Sequence, residues 1–351
     1  MPADAPFFTI LIPTKGRVHH LRFALESLRT QSFGDFEVIL LDSDPGSDTA
    51  RAYFGGWQSW LDSRFRYVRT GDVWMSQNIE AGLAHARGRF LHVCQDKAVI
   101  AHDALDKVHP LLADGDCRAL VFELVSHVWE PGNHSYLQDR PGLDELQLQP
   151  HFGYGVGAPL ECQMASSVEV LAGFLVNGWE TICFGAPRAF NCFTDLQSIR
   201  AIRAGGVPFF DTTSPDLCSA LRLLDHLDGF HVTTAQLASH FHGGGVSFGT
   251  SWRYGFGYAT EAFAKLPPSV LSHLHQMPLG LTPLFHNGIF GDYVNVRSNA
   301  SGHVKASRLR SDNYFAKVLQ DVESLHEPDE RKALLRAIVE RRRAEFAPEF
   351  I

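Results

Sequence analysis

Residues 88–97 read GRFLHVCQDK, an apolar run that ends in the polar residues Gln95, Asp96 and Lys97. A short apolar run of this kind predicts a buried strand over Phe90–Cys94. In open α/β sheets, ligands bind just outside the carboxyl ends of the strands. The stretch therefore predicts that the carboxylate of Asp96 lies where a ligand site is expected.

Predicted strands and helices alternate around this stretch, with short connections between them. The predicted strands are Phe7–Ile12, Phe36–Leu41, Phe65–Val68 and Phe90–Cys94. The predicted helices are Val18–Thr30, Asp48–Trp60, Ser76–Ala86 (with Gly88 as its C-terminal cap) and Asp103–Leu112. This alternation predicts an α/β fold, in which helices flank a mostly parallel sheet.

The remainder of the chain continues less regularly and becomes helical towards its end. Further strands are predicted over 119–129, Pro208–Phe210 and His231–Ser239, and further helices over Asp195–Ala204, Pro215–Leu227 and Asp329–Phe346. We therefore expect three segments, 1–112, 113–249 and 250–351, of which the third is a mainly helical extension.

The composition excludes some classes of protein. The chain has 351 residues, of which 45% are hydrophobic, and a formal net charge of −8, which argues against a protein that binds long stretches of nucleic acid. Six cysteines without a CxxC pair favour a reducing compartment. No signal peptide or apolar run of membrane-spanning length is evident. We expect a soluble cytoplasmic protein, with peripheral membrane contact or a homo-oligomer left open.

Two segments near the N-terminus, FTILIPTKGR at 8–17 and FEVILLDSDPGSDT at 36–49, together resemble family 2 glycosyltransferases of the GT-A fold. A dinucleotide site would instead require several glycines after the first strand, and the first segment has a single glycine, Gly16. The resemblance implies that 1–112 binds a nucleotide sugar and that 113–249 binds the acceptor. It places Pro13, Thr14 and Arg17 at the nucleotide. Asp42 would accept a hydrogen bond from the nucleobase, with Asp44 replacing or assisting it.

The segment SQNIEAGLAHARGRFLHVCQDK at 76–97 continues the resemblance, and implies a nucleotide-binding role for Asn78. In the family it ends in an Asp-x-Asp motif that binds a divalent cation, Mg²⁺ or Mn²⁺, beside the diphosphate. Here the motif is Gln95-Asp96-Lys97, so both flanking acids are missing. Three interpretations remain open: Asp96 holds a metal with water or a histidine, Lys97 itself neutralises the diphosphate, or the site is inactive.

A catalytic base is expected if the reaction inverts the anomeric carbon, because the acceptor hydroxyl must lose a proton. Asp216, in Ser214-Pro215-Asp216, loosely matches the position of the family's base, and Asp211 is the second candidate. Ser-Pro-Asp is also what helix capping alone would produce. His240 and His242, two residues apart on a predicted strand, face the same side, and the resemblance implies that one of them contacts the metal or the diphosphate.

The resemblance therefore implies a hexosyltransferase-like enzyme of polysaccharide or glycoconjugate biosynthesis. The donor would be a nucleotide-diphosphate sugar, and the acceptor a saccharide, a lipid-linked glycan or a small molecule. The alternative is a catalytically weak or inactive scaffold that binds sugar nucleotides, which the incomplete Asp-x-Asp motif suggests.

Overall fold

The computed structural model describes residues 5–128, 160–242, 260, 266 and 268–351. The strands are β1 (Phe8–Thr14), β2 (Phe36–Asp42), β3 (Phe65–Arg69), β4 (Phe90–Val93), β5 (Ala98–Ile100), β6 (Ala119–Val128), β7 (Gln163–Ser166), β8 (Cys192–Asp195) and β9 (Gly229–His242). The first helices are α1 (Val18–Arg29), α2 (Asp48–Ala52), α3 (Met75–Leu83), α4 (Ala104–Ala113), α5 (Ser167–Asn177), α6 (Trp179–Gly185), α7 (Leu196–Arg203) and α8 (Pro215–His226).

The later helices are α9 (Pro268–Leu271), α10 (Phe285–Asn299), α11 (His303–Ala306), α12 (Ser311–Ser324) and α13 (Asp329–Glu345). After α2, the chain continues as a π-helical turn, Tyr53–Trp57, and a short helix, Gln58–Trp60. The prediction of a mixed α/β fold is confirmed.

One sheet of the described residues has the strand order β3-β2-β1-β4-β8-β6-β9-β5, with β7 off this path. Strands β3, β2, β1 and β4 run parallel to one another, whereas β8 is antiparallel to both β4 and β6. The register aligns Thr14 with Asp42 and Leu11 with Val93. The carboxyl ends of β1, β2 and β4 therefore meet at one edge, as the sequence predicts.

The central strands form because their apolar runs can be buried on both faces. All seven residues of β1 and all seven of β2 are buried, which is typical of parallel strands covered by helices. Helix α1 covers one face with Leu21, Leu25 and Leu28, which lie at helical spacing and are fully buried.

Two glycines allow close packing around β1. A Cβ atom on Gly82 of α3 would collide with Leu41 Cδ1, and a Cβ atom on Gly88 would lie 2.6 Å from the backbone nitrogen of Thr9. The prediction that Gly88 caps α3 is wrong. The helix ends at Leu83 with Ala84 as its C-cap, and Gly88 instead allows the chain to pass directly against β1.

Several further elements differ from expectation. Residues 208–210 form no strand, and the rings of Phe209 and Phe210 are instead buried in an edge-to-face contact. The sequence does not predict strands β5, β7 and β8, because runs of three and four residues give too short a pattern, nor does it predict helices α5 and α6.

The described chain divides into two compact units made of discontinuous pieces. The first contains residues 1–164, 187–208 and 230–244, and the second contains 165–186, 209–229 and 245–351. The first unit holds most of the sheet, and in the second unit helix α10 packs against α8 and α12. The predicted assignment of roles to 1–112, 113–249 and 250–351 stays a prediction. Among the described residues, no helix combines the length and apolar character needed to span a membrane.

Candidate functional site

Asp96 lies at the carboxyl edge of the sheet, directly beside the loop that follows β1. Its side chain is 2% exposed. Thr14 donates a hydrogen bond from Oγ1 to Asp96 Oδ2 over 2.9 Å, and Arg17 Nε lies 3.0 Å from the same oxygen. Burial raises the pKa of Asp96, although the charge of Arg17 and the hydrogen bond from Thr14 oppose that shift. The structure thus brings together three residues that the sequence predicts for this site.

Two further cationic or titratable side chains surround this carboxylate. Lys97 is 8% exposed, and both burial and the charge of Arg17 lower its pKa, while Asp96 opposes the shift. Burial also lowers the pKa of His20. Arg17 and Lys97 together carry more positive charge than one carboxylate can neutralise, so the cluster favours an anion such as a phosphate group.

Asp42 ends β2 and is completely buried. Its Oδ1 accepts a hydrogen bond from the backbone nitrogen of Asp44 over 2.8 Å, and its Oδ2 accepts one from the hydroxyl of Tyr67 over 2.5 Å. Burial and the hydrogen bond to Asp42 raise the pKa of Tyr67 well above its ordinary value. The Tyr67 ring lies 4.9 Å from that of Tyr53 and 5.2 Å from that of Phe54, which is 62% exposed.

Sequence reasoning missed Tyr67. The residue lies inside β3, and the aromatic enrichment of strands hides a functional tyrosine among packing residues. The signal that could have identified Tyr67 is the parallel pairing of β2 with β3, whose register aligns Leu40 with Tyr67 and Asp42 with Arg69. That register places β3 alongside the end of β2, so an aromatic residue of β3 can reach Asp42.

Asp44 shapes the turn that follows β2. Its carboxylate accepts hydrogen bonds from the backbone nitrogens of Gly46, Asp48 and Thr49 at 2.9, 2.8 and 3.3 Å. A Cβ atom on Gly16 would lie 3.3 Å from Asp44 Oδ1, so the loop after β1 passes against this turn. Asp44 therefore organises the turn, and its predicted contact with the nucleotide stays a prediction.

Asn78 and Pro13 both lie next to Leu41, near the end of β2. Asn78 donates from Nδ2 to the carbonyl of Leu41 over 3.1 Å and accepts from Thr70 Oγ1 over 2.7 Å. Pro13 aligns with Leu41 in the β1–β2 pair. The amide of Asn78 thus ties α3 to the end of β2, close to the predicted nucleotide position.

The two predicted histidines differ in what the structure describes. His240 is 8% exposed and pairs in register with Ala98, the residue after Lys97, so its backbone lies beside the Asp96 segment. His242 ends β9, and its side chain lies outside the described residues.

The predicted base, Asp216, belongs to the second unit, where it lies in the first turn of α8. Asp292 of α10 accepts hydrogen bonds from Thr213 N, Thr213 Oγ1 and Ser214 N at 3.1, 2.7 and 2.9 Å, which fixes the residues just before this turn. Asp211, the second candidate, forms a 2.8 Å ion pair with the buried Arg222.

The residues present fit a divalent cation poorly. Among the described residues, no group of three or more His, Cys, Asp and Glu side chains is placed to share a metal. Mg²⁺ and Mn²⁺ prefer several oxygen ligands, whereas this edge offers Asp96, whose Oδ2 is already held by Thr14 and Arg17. The charge of Lys97 next to it further disfavours a cation.

Comparison with known families decides the class of this segment. Residues 9–166 match the family model described as Glycosyl transferase family 2. This segment is a family 2 glycosyltransferase domain. The predicted resemblance is confirmed, and the glycosyltransferase segment contains the whole cluster around Asp42 and Asp96. No curated protein matches the chain.

Two solved structures illustrate what this chain is similar to in fold. One is S. aureus TarS 1-349 in complex with UDP-GlcNAc, with 13% identity, coverage of 97% of this chain and 88% of that one, and a TM-score of 0.49. The other is the mannosyltransferase PcManGT from Pyrobaculum calidifontis in complex with GDP-Man and Mn²⁺, with 13% identity, coverage of 99% and 83%, and a TM-score of 0.43.

Proposed function

We propose that this protein transfers a hexose from a nucleotide-diphosphate sugar to an acceptor hydroxyl, with inversion. The observation that carries the proposal is the cluster of Thr14, Arg17, Asp96 and Lys97 in a family 2 glycosyltransferase segment. This cluster offers excess positive charge at the edge of the sheet where ligands of α/β proteins bind. The polar end of β2, at Asp42, lies at the same edge.

The nucleoside would bind at Asp42. Each carboxylate oxygen already accepts one hydrogen bond, from the backbone of Asp44 or the hydroxyl of Tyr67, and a second lone pair on each can accept a nucleobase N–H. The exposed ring of Phe54, next to Tyr67, offers an apolar surface for the base. The nucleotide would also contact Pro13, Thr14 and Asn78. Asp44 would hold the turn beside it.

The diphosphate would bind to Arg17 and Lys97. Asp96 orients the guanidinium of Arg17 through the 3.0 Å ion pair, and this leaves the nearby ammonium of Lys97 to interact with phosphate oxygens. On this proposal a divalent cation is dispensable for donor binding, and His240 or His242 would contact the diphosphate directly.

Asp216 is proposed as the base that accepts the proton of the acceptor hydroxyl. It is preferred to Asp211 because Ser214-Pro215-Asp216, at the start of α8, matches the position of the family's base. The acceptor would be a saccharide, a lipid-linked glycan or a small molecule of cytoplasmic glycoconjugate or polysaccharide synthesis.

A second candidate function is a scaffold that binds sugar nucleotides without transferring the sugar. The hydrogen bond and ion pair that engage Asp96 favour it, because they make the remnant of the metal motif a structural element. The two functions differ in turnover and share donor binding, so an experiment must measure both.

The first measurement is a calorimetric titration of the full chain with UDP-, GDP- and dTDP-hexoses, with and without EDTA. We expect one nucleotide class to bind in EDTA, and Lys97→Met to weaken that binding about tenfold or more. Lys107→Met is the matched control, since Lys107 is a partly buried lysine of α4. Its side chain is 12% exposed and forms an ion pair with Asp103. Equal affinity of the two variants would disprove the role of Lys97.

The second measurement is release of nucleoside diphosphate from the donor that binds, with and without candidate acceptors. We expect Asp216→Asn to abolish turnover and to leave donor affinity unchanged, which would exclude the scaffold. Undiminished turnover in that variant would refute Asp216 as the base. Absence of turnover in the unmodified protein with every acceptor, despite donor binding, would favour the scaffold.

A further inference from the structure

A cavity lies in the first unit, at the start of β4. The cavity has a volume of about 730 Å³, within the range of small-molecule sites. Four of its lining residues are arginines: Arg87, Arg89, Arg118 and Arg200. We call this cavity the arginine pocket. Phe90, at the start of β4, lines it, whereas Asp96 follows the other end of that strand.

Arg89 is held in place by two aromatic rings. Its guanidinium carbon lies 5.5 Å from the centre of the Phe7 ring and 5.3 Å from that of Phe90, and its Nη1 donates to the carbonyl of Ala113 over 3.3 Å. These contacts fix the side chain before any ligand arrives. A fixed guanidinium loses less conformational entropy when it binds an anion.

Arg87 is anchored to Glu37, which is 2% exposed. Glu37 accepts from the backbone nitrogen of Arg87 and from its Nε, at 2.8 and 2.9 Å, and also accepts from Arg66 over 2.7 Å. A single carboxylate thus faces two guanidinium groups. The side chain of Arg87 still remains 59% exposed, so it can reach a ligand.

Arg118 and Arg200 are weakly engaged within the protein. Arg118 Nη1 lies 3.8 Å from Asp195 Oδ2, beyond hydrogen-bond distance, and Asp195 already accepts from the backbone nitrogens of Gln197 and Ser198 as the N-cap of α7. Arg200 Nη2 donates to a carbonyl, that of Ala86, over a long 3.4 Å. Both side chains therefore retain donors for a ligand.

The local charge contrasts with that of the chain as a whole. The lining residues carry four positive charges and one negative charge, that of Asp195, in a protein of net charge −8. The exposed acids Asp114 and Asp116 flank the lining residue Gly115. Their negative charges would repel an anion that extends out of the pocket, so the ligand must be small enough to sit inside it. A guanidinium group can donate two parallel hydrogen bonds to two oxygens of one phosphate group. Several such groups around one cavity therefore suit a ligand with phosphate groups.

We propose that the arginine pocket binds a soluble anion with two or more phosphate groups, at a site separate from the nucleotide-sugar site. One phosphate would contact Arg89 and Arg87, and the other would contact Arg118 and Arg200. The proposal does not depend on the glycosyltransferase activity.

The test is a calorimetric titration of the full chain with tripolyphosphate, with inorganic phosphate for comparison. Because Arg17 and Lys97 could also bind polyphosphate, the titration is repeated in Lys97→Met. We expect tripolyphosphate to bind both proteins at least tenfold more tightly than phosphate does. Loss of binding in Lys97→Met would overturn the proposal, because the binding would then belong to the nucleotide site.

The pocket variant is Arg118→Gln with Arg200→Gln, which leaves the anchored Arg87 and Arg89 unchanged. Its control, Arg336→Gln with Arg341→Gln, removes the same charge from exposed positions of α13. We expect the affinity for tripolyphosphate to fall about tenfold or more in the pocket variant and less than twofold in the control. Equal losses would show a general charge effect and refute the site. Equal melting temperatures of both variants would exclude unfolding as the cause.

Discussion

The hydroxyl of Tyr67 donates a 2.5 Å hydrogen bond to Asp42 Oδ2, and so joins a residue of β3 to the end of β2. Asp42 is completely buried and its other oxygen is held by the backbone of Asp44. The tyrosine therefore fixes the direction in which the carboxylate faces. A change that removes the hydroxyl alone tests whether this direction matters for the nucleotide.

Tyr67→Phe should weaken donor binding about threefold to tenfold, because Asp42 loses the bond that orients it. Calorimetry with the preferred sugar nucleotide measures the effect. Tyr53→Phe is the control, since it removes a hydroxyl from a ring 4.9 Å from that of Tyr67, whereas the hydrogen bond to Asp42 comes from Tyr67. A Tyr67→Phe affinity equal to that of the unmodified protein would remove Tyr67 from the nucleotide site.

As the pH rises, donor affinity should begin to fall at a pH below the ordinary pKa of lysine. Burial and the charge of Arg17 lower the pKa of Lys97, so the ammonium loses its proton, and its attraction for phosphate, earlier than a solvated lysine does. Dissociation constants between about pH 7 and 10 would show this. Lys97→Arg should keep its affinity across the range, because a guanidinium stays charged. Parallel pH profiles of the two proteins would contradict this role of Lys97.

Glu37 should contribute stability that is lost in acid. Burial alone would raise the pKa of Glu37, but hydrogen bonds from Arg87 and Thr9 and the charge of Arg66 outweigh burial and lower it. A carboxylate with a lowered pKa stabilises the folded state above its unfolded pKa, and that contribution disappears as the pH falls through the folded pKa. Urea unfolding should therefore show a smaller dependence on acid pH for Glu37→Gln than for the unmodified protein.

The control for this prediction is Glu323→Gln, since Glu323 is an exposed carboxylate paired with Arg336. Its pH dependence should match that of the unmodified protein. Identical acid profiles for Glu37→Gln and the unmodified protein would show that Glu37 makes no such contribution.

Asp292→Asn should destabilise the protein by about 2–3 kcal/mol, because a buried carboxylate that accepts from Thr213, Ser214 and His273 would be replaced by an amide with fewer acceptor sites. Chemical denaturation measures the loss. Asp312→Asn, at a carboxylate that is 66% exposed, should change stability by less than about 0.5 kcal/mol. Equal stability of the two variants would contradict the supporting role of Asp292.

Gly88→Ala should destabilise the protein by about 2–3 kcal/mol, since the new methyl group would lie 2.6 Å from the backbone nitrogen of Thr9. Gly55→Ala is the matched control, because no atom lies within 4 Å of the position its Cβ would take. Thermal unfolding compares them. A Gly88→Ala protein as stable as Gly55→Ala would show that β1 can move away without cost.

The sequence predicts the half of the fold that has continuous apolar strands. Strands β1 and β2 are buried on both faces, so each is a run of mostly apolar residues. The change to polar residues at Thr14 and Asp42 predicts where each strand ends. The grouping of Thr14 and Asp96 follows because parallel strands share an edge.

The parts that were missed depend on pairing across long stretches of chain. Strand β8 has four residues, Cys192–Asp195, and becomes a strand because β4 and β6 lie on either side of it. The role of Gly88 depends on the closeness of Thr9, which is 79 positions earlier. The partnership of Tyr67 with Asp42 depends on the register of β3 against β2. None of these distances is encoded in a local pattern.

The pairing of β4 with β8 also has a consequence for biosynthesis. The residues of β8 leave the ribosome about a hundred positions after those of β4, which at roughly 5–20 residues per second takes about 5–20 s. During that interval one edge of β4, next to the Asp96 segment, has no neighbouring strand to bond with. An unpaired edge of apolar residues is prone to associate with other chains. The nascent protein thus has a period in which this edge is open to aggregation, and slower synthesis lengthens that period.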